Sequence, residues 1–220
     1  MDLKYQLAIN LYSNISDKLK KMIDDNVPDD HILYAMIHYH QQNKLINDDL
    51  IVCRMVNCLN SHDFVLSKDY LIRLHKLLFI DNGHYFPGKL RDIELELKSK
   101  YLDGHKVIFS HYANIDAYLD YDFNEEIRRI GKEGIDNIKA LSSFMVNLYN
   151  IHPFYKGNLV CIIVFLLKYL DANYVKYDLN YLVNNLDKLS KALVLACDND
   201  TRISEDSFIN EFLRIFLYEE

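Results

Sequence analysis

Residues 151–170 read IHPFYKGNLVCIIVFLLKYL, which sets a histidine, a proline-fixed turn and a glycine in front of a long apolar run. His152, Pro153 and Phe154 make the turn, and Gly157 and Asn158 open a helix that continues to Leu170. The first amides of a helix lack intrahelical acceptors and lie at the positive end of its dipole. A helix that starts at a glycine is therefore suited to hold a phosphate. A histidine just before it is placed to act as general base on whatever attacks that phosphate. An isolated His-Pro-Phe is more often a plain turn, so the reading depends on its surroundings. The most apolar part, Leu159 to Leu167, is about half the length of a membrane-spanning helix and reads as a buried central helix.

Upstream, residues 135–149 place Ile138, Leu141, Met145 and Leu148 at helical spacing and deliver the chain to His152. Residues 115–132 read as one or two short helices, with a joint at Gly131 and Gly134. Residues 92–110 are the one clear β segment. Ile93, Leu95 and Leu97 alternate with Glu94, Glu96 and Lys98, Asp103-Gly104 supplies a tight turn, and Val107 and Phe109 return. An isolated hairpin is marginal, so this one is expected to lie on the helices with an outer edge able to take an extended peptide.

Ser67 caps a helix that ends at Phe79, in which His75, among Leu71, Leu74, Leu77 and Leu78, reads as a core or boundary residue. Nearer the N-terminus, Leu3, Leu7, Leu11, Ile15, Leu19 and Ile23 mark an amphipathic helix with a break near residues 13–16. Further helices are predicted over 31–42 and 48–59, and downstream of the central helix over 180–196 and 207–217. The fold class is mainly α with one hairpin.

Composition narrows the function. Half of the 220 residues are hydrophobic, with 6 glycines and 3 prolines, which favours helices over turn-rich β structure. A net charge of −7 with no basic block disfavours nucleic-acid binding, and no signal peptide or membrane span is evident, so no membrane partner is expected. Cys53, Cys58, Cys161 and Cys197 form no C-x-x-C pair, and buried free thiols in a reducing cytoplasm are expected. His31, His38 and His40 lack a carboxylate or cysteine at ligand spacing, so no metal site is assigned to them.

HPFYKGN resembles the signature loop of the Fic/Doc (Fido) proteins, H-P-F-x-[D/E]-G-N-[G/K]-R. His152, Pro153, Phe154, Gly157 and Asn158 match it. The segment LIRLHKLLFIDNGHYFPGKLRD, residues 71–92, also resembles the family's helix, tight turn and G-x-x-R before a hairpin, with Gly88 and Arg91 in those two places. The resemblance spans about residues 71–196. It implies a Fido-type helical bundle over 67–197, with a hairpin flap at 92–110 and an active-site loop at 152–160. An N-terminal helical extension, 1–66, and a C-terminal helix packed on the core, 198–220, flank it.

The resemblance also implies a chemistry: transfer of AMP, or another phosphate-containing moiety, from ATP or another nucleotide to a Ser, Thr or Tyr hydroxyl of a target protein. His152 takes the role of base. The amides of Lys156, Gly157, Asn158 and Leu159, with the Asn158 side chain, take that of phosphate donors, with Pro153 and Phe154 in support. Ile93, Leu95, Leu97 and Val107 belong to the flap on which the target docks, and the histidine at position 75 is structural.

The sequence departs from the pattern where charge matters. Lys156 replaces the acidic metal ligand, Leu159 the Gly or Lys, Val160 the arginine and Ile163 a second arginine. Magnesium seeks carboxylate and phosphate oxygens, and an ammonium repels it, so Mg2+ is doubtful and no metal ligand is assigned. Losing one electrostatic donor typically costs about 10²–10³ in rate. Alternatively, the Lys156 ammonium touches the phosphates itself and replaces the metal. Two readings follow, a transferase of reduced or altered activity and a catalytically inactive module that binds protein or nucleotide.

The family's inhibitory pattern, [S/T]-x-x-x-E-[G/N], is loosely matched at 207–211 and 201–205. This makes Glu211 the candidate inhibitory residue against the plainer reading of a solvated helix face. The expected setting is cytoplasmic, with delivery into a host cell as an extension of it, and the N-terminal helices offer a homo-oligomer or partner surface.

Overall fold

A computed structural model describes residues 2–12, 15–43, 47–102, 104, 106–134, 137–198, 209, 212–214 and 216–217. Ten α-helices and one hairpin are formed there. In chain order they are α1 (Leu3–Leu11), α2 (Asp17–Asp24), α3 (Asp29–Asn43), α4 (Asn47–Asn60), α5 (Lys68–Phe79), β1 (Glu96–Lys98), β2 (Lys106–Ile108), α6 (Ile115–Glu133), α7 (Ile138–Ile151), α8 (Asn158–Ala172), α9 (Leu179–Asn184) and α10 (Leu186–Ala196).

Most boundaries follow local chemistry. Ser67 Oγ accepts from the Tyr70 amide at 3.1 Å and starts α5, and Asn137 caps α7 through the Ala140 amide. The first predicted helix divides into α1 and α2, because Ser16 caps α2 while also donating to Asp49. Residues 115–133 form one unbroken helix rather than two, with Gly131 inside it and Gly134, at φ +75, ending it.

The helix α8 is buried along its whole length from Val160 to Leu170. A helix apolar on all sides belongs at the centre of a bundle, and α4, α5 and α7 pack around it. Its one buried cation, Lys168, donates to the carbonyls of Cys58 and Ser61 and to Ser61 Oγ, each at 2.8 Å, and so ties α8 to the end of α4. One continuous core runs from the N-terminal helices to Phe216. All four cysteines are buried thiols outside any disulfide. Among the described residues no helix is long and apolar enough to cross a membrane.

The hairpin is shorter than the alternation predicts. Ladder pairing is confined to Glu96 with Ile108, Leu97 with Val107 and Lys98 with Lys106. Ile93 and Leu95 lie outside the strands, because the Arg91 side chain captures the Ile93 carbonyl that would otherwise extend the ladder.

Candidate active site

Helix α7 stops at His152, whose backbone takes the left-handed conformation (φ +49) while its amide donates to the Leu148 carbonyl at 3.3 Å. Pro153 then prevents any further helical turn. The His152 ring stacks on Phe109, just past β2, at 3.7 Å, and meets Tyr149 edge-on. Its Nδ1 lies 3.2 Å from the Tyr149 carbonyl. A carbonyl only accepts, so Nδ1 carries the proton and the Nε2 lone pair is available. No other hydrogen bond holds the ring among the described residues. Burial, together with the nearby Arg91 charge, lowers its pKa to about 4, the Tyr149 hydrogen bond only partly opposing this, so the imidazole is neutral at physiological pH.

Arg91 is the buried clasp between the hairpin and this loop. Its Nε donates to the His152 carbonyl at 2.8 Å and its Nη1 to Ile93 at 2.6 Å, and its Nη2 donates to the carbonyls of Ser110 and Ile151. Its own amide donates to the Pro153 carbonyl at 2.9 Å, beside a bridge between Leu90 and Phe154. The planar guanidinium fork spans four carbonyls that no single neutral side chain could reach.

His75 performs a second joining. Its Nε2 donates to the Lys156 carbonyl and its Nδ1 accepts from the Gly88 amide, both at 3.0 Å, with the ring stacked on Phe154 at 3.8 Å. The core histidine anticipated from its apolar neighbours thus ties the G-x-x-R turn to the signature loop. Burial lowers its pKa to about 4.

The helix start is built around Gly157. It has φ +77, and a Cβ there would fall 2.5 Å from Phe79 Cζ and 3.2 Å from Tyr85 Cδ1, two rings stacked at 4.3 Å. The partly buried Tyr12, which follows α1, hydrogen-bonds Tyr85, so the N-terminal helices reach this wall. No side chain caps α8. Its opening amides have no acceptor among the described residues, the state a bound anion would relieve.

Several expected donors are placed differently. The Asn158 carboxamide is buried and turned back on the loop, Oδ1 accepting from the Phe154 amide at 2.9 Å and Nδ2 donating to the Phe154 carbonyl at 2.7 Å. It shapes the loop rather than reaching outward for a phosphate. Val160 is buried, and Leu159 is partly buried against the core. Lys156 is exposed. Of the residues assigned to the flap, Val107 is buried, Leu97 and Leu95 are partly buried and Ile93 is exposed, as is Ile108. Glu211 lies outside the described residues.

Among the described residues no group of three or more His, Cys, Asp or Glu side chains could hold a metal. A groove of about 690 Å³ between α6 and α7, lined by Asp122, Arg128 and Lys139 among others, lies away from the histidine loop.

The geometry of a histidine-bearing loop, an uncapped glycine-led helix and an overlying hairpin agrees with the comparisons. The Fic/DOC family profile matches residues 65–170. This segment is a Fic/DOC-family domain. Solved Fic domains share the fold across most of the chain. The N-terminal Fic domain of a Bartonella effector protein (Bep), a VirB-translocated effector from Bartonella sp. AR 15-3, aligns with TM-score 0.62 at 19% identity over 76% of this chain and 79% of that one. The N-terminal Fic domain of Bep8 from Bartonella sp. 1-1C gives 0.60 at 15% over 94% and 89%. BepC from Bartonella tribocorum, with bound AMPPNP, gives 0.58 at 16% over 82% and 85%. A search of curated proteins finds no match.

The two histidines make the Fic fold acid-sensitive. Both have folded pKa values near 4, against about 6.5 in an unfolded chain. Between those values the unfolded chain binds more protons, so stability is complete above about pH 6.5 and is lost as the pH falls toward 4. The loss approaches about 3 kcal/mol per histidine. Asp122, pushed up to about 6 mainly by burial, acts in the opposite direction over part of the range. Urea midpoints should fall between pH 7 and pH 5, and His75→Gln should remove more than half of that fall, because Asp122 already offsets part of the two histidines' loss. An unchanged midpoint in the parent protein would contradict the burial argument.

Proposed function

We propose that this Fic domain transfers AMP, or another phosphate-containing moiety, from a nucleotide to a Ser, Thr or Tyr hydroxyl of a protein docked along the hairpin. The observation that carries this is the state of His152: neutral, protonated on Nδ1, with Nε2 available beneath the hairpin and one short loop before an uncapped helix start. In the step we envisage, the target hydroxyl oxygen attacks the α-phosphorus as Nε2 takes its proton. The bond from that phosphorus to the bridging oxygen breaks, and pyrophosphate leaves. The amides opening α8 would hold the phosphates. The AMPPNP bound to BepC supports a nucleotide as donor.

Magnesium does not fit the donor set. An exposed ammonium, Lys156, stands at the family's acidic position, and no step here is routed through a metal. Lys156 is two residues before the start of α8 and would supply positive charge to phosphates held there. The second reading, a module that binds without turnover, is favoured by the inward Asn158 carboxamide and by Val160, buried where the family has arginine. The VirB-translocated neighbours support a host-cell target under either reading.

One experiment separates them. Purified protein is incubated with host lysate and labelled ATP, with and without Mg2+, beside His152→Ala and Lys156→Ala. Transfer that His152→Ala lowers about 10²–10⁴-fold, that Lys156→Ala weakens and that persists in EDTA establishes the transferase. Nucleotide binding with no transfer at any metal concentration establishes the module.

A further inference from the structure

We propose that the N-terminal helices complete the wall of the phosphate site, with Tyr12 as a positioning residue that holds Tyr85 against Gly157. This rests on the reading of the α8 start as the seat of the nucleotide phosphates. It adds to the site a part of the chain that the family profile, residues 65–170, does not include. The two rings that bound Gly157 belong to one short segment. Phe79 ends α5, and its carbonyl accepts from the Asn82 amide at 2.8 Å. The Asn82 carbonyl in turn accepts from the Tyr85 amide at 3.0 Å. This turn folds Tyr85 back onto Phe79, with the ring planes within 5° of parallel.

One side of this wall is held by the core and the other by the N-terminal helices. Phe79 is fully buried and meets His75 at 4.8 Å, whereas Tyr85 is only partly buried and ends a single 3-10 turn, Gly83–Tyr85. Two contacts from outside the profile reach that turn. The Tyr12 hydroxyl, just past α1, hydrogen-bonds Tyr85. Arg54 of α4 donates through Nε to Asp81, in the link between α5 and Tyr85. Asp48, at the start of α4, and Cys161, in the first turn of α8, act electrostatically on the same Tyr12 hydroxyl. The end of α1, the start of α4 and the opening of α8 therefore converge on one phenol. Burial first, and then Tyr85, hold that phenol well above its ordinary pKa, so it remains a hydroxyl able to donate.

The packing at Gly157 carries this restraint to the helix start. A Cβ there would fall within contact distance of both rings, so an outward shift of Tyr85 opens space beside the left-handed turn that aims the α8 amides. Close-packed groups transmit such shifts. Amides stabilise an anion most when their directions are fixed before it arrives. In this scheme Tyr12 touches no phosphate and acts only through Tyr85. Helix α1 has an anchor of its own elsewhere, since Asn10 Nδ2 donates to the Val183 carbonyl in α9 at 3.0 Å. Loss of the Tyr12 hydroxyl alone therefore leaves α1 in place.

The test measures binding, so it does not require turnover. In the isotope-labelled full chain, the amide resonances of Gly157, Asn158 and Leu159 are followed by NMR as inorganic pyrophosphate or AMPPNP is added, in EDTA and in Mg2+. Both probes should shift the three amides of the parent protein. Tyr12→Phe and Tyr85→Phe keep the rings and remove one hydroxyl each. Each should weaken both probes about threefold to tenfold. The double variant should bind no more weakly than either single one, because both lose the same hydrogen bond. Asn10→Ala loosens α1 away from the wall, and should lower the urea midpoint while leaving affinity unchanged. Parent-like affinity in Tyr12→Phe, or equal weakening by Asn10→Ala, overturns the positioning role and leaves the phosphate site standing. No amide response in the parent overturns both.

Discussion

Arg91→Met should lower stability by about 4 kcal/mol, the largest loss expected from a single change outside the central helix. The guanidinium donates to four carbonyls and is 2% exposed. Methionine fills much of the volume and supplies no donor, leaving four acceptors to find water or remain unpaired at about 1–3 kcal/mol each. Solvent can reach those nearer the surface, which holds the total near the lower end of that sum. The damage also reaches the proposed site, because the His152 and Ile151 carbonyls belong to the turn that carries the imidazole. Arg91→Lys retains the charge with fewer donors in a different geometry and should recover under half of the loss. Urea unfolding of the three proteins checks this; a midpoint in Arg91→Met equal to the parent's would show that the clasp contributes nothing.

Gly157→Ala should be nearly as harmful, for two separable reasons. A φ of +77 costs an L residue about 1–2 kcal/mol. The added methyl would also fall 2.5 Å from a buried phenylalanine ring that is fixed between His75 and Tyr85, and such overpacking costs about 1–3 kcal/mol. Phe79→Leu separates the two causes, because in that background Gly157→Ala should lose chiefly the backbone part. Equal losses from Gly157→Ala with and without Phe79→Leu would show that the Phe79 and Tyr85 wall yields freely.

Much of this architecture can be read along the chain because its causes are local. The α5 cap at Ser67 and the joint at Gly134 are matters of one side chain or one φ. The burial of α8 follows from an apolar run with no polar face. The hairpin was legible as alternation but not in extent, because alternation cannot register that Arg91 takes the Ile93 carbonyl out of the ladder. His75 read as a core residue from its leucine neighbours, whereas the two hydrogen bonds that give it a task reach residues 13 and 81 positions away. Asn158 matched its motif, and its direction was still hidden, since a carboxamide serves an internal turn or an external phosphate equally well until the loop closes.

The sequence alone determined the helical class, the central helix, the position of the histidine loop and the family it resembles, since periodicity, caps and short motifs act over a few residues. Tertiary structure decided which groups face outward and which inward: the free Nε2 of His152, the inward Asn158 and the buried Val160. Those outcomes depend on competition for hydrogen bonds and space among segments distant in the chain, and only the assembled core resolves it.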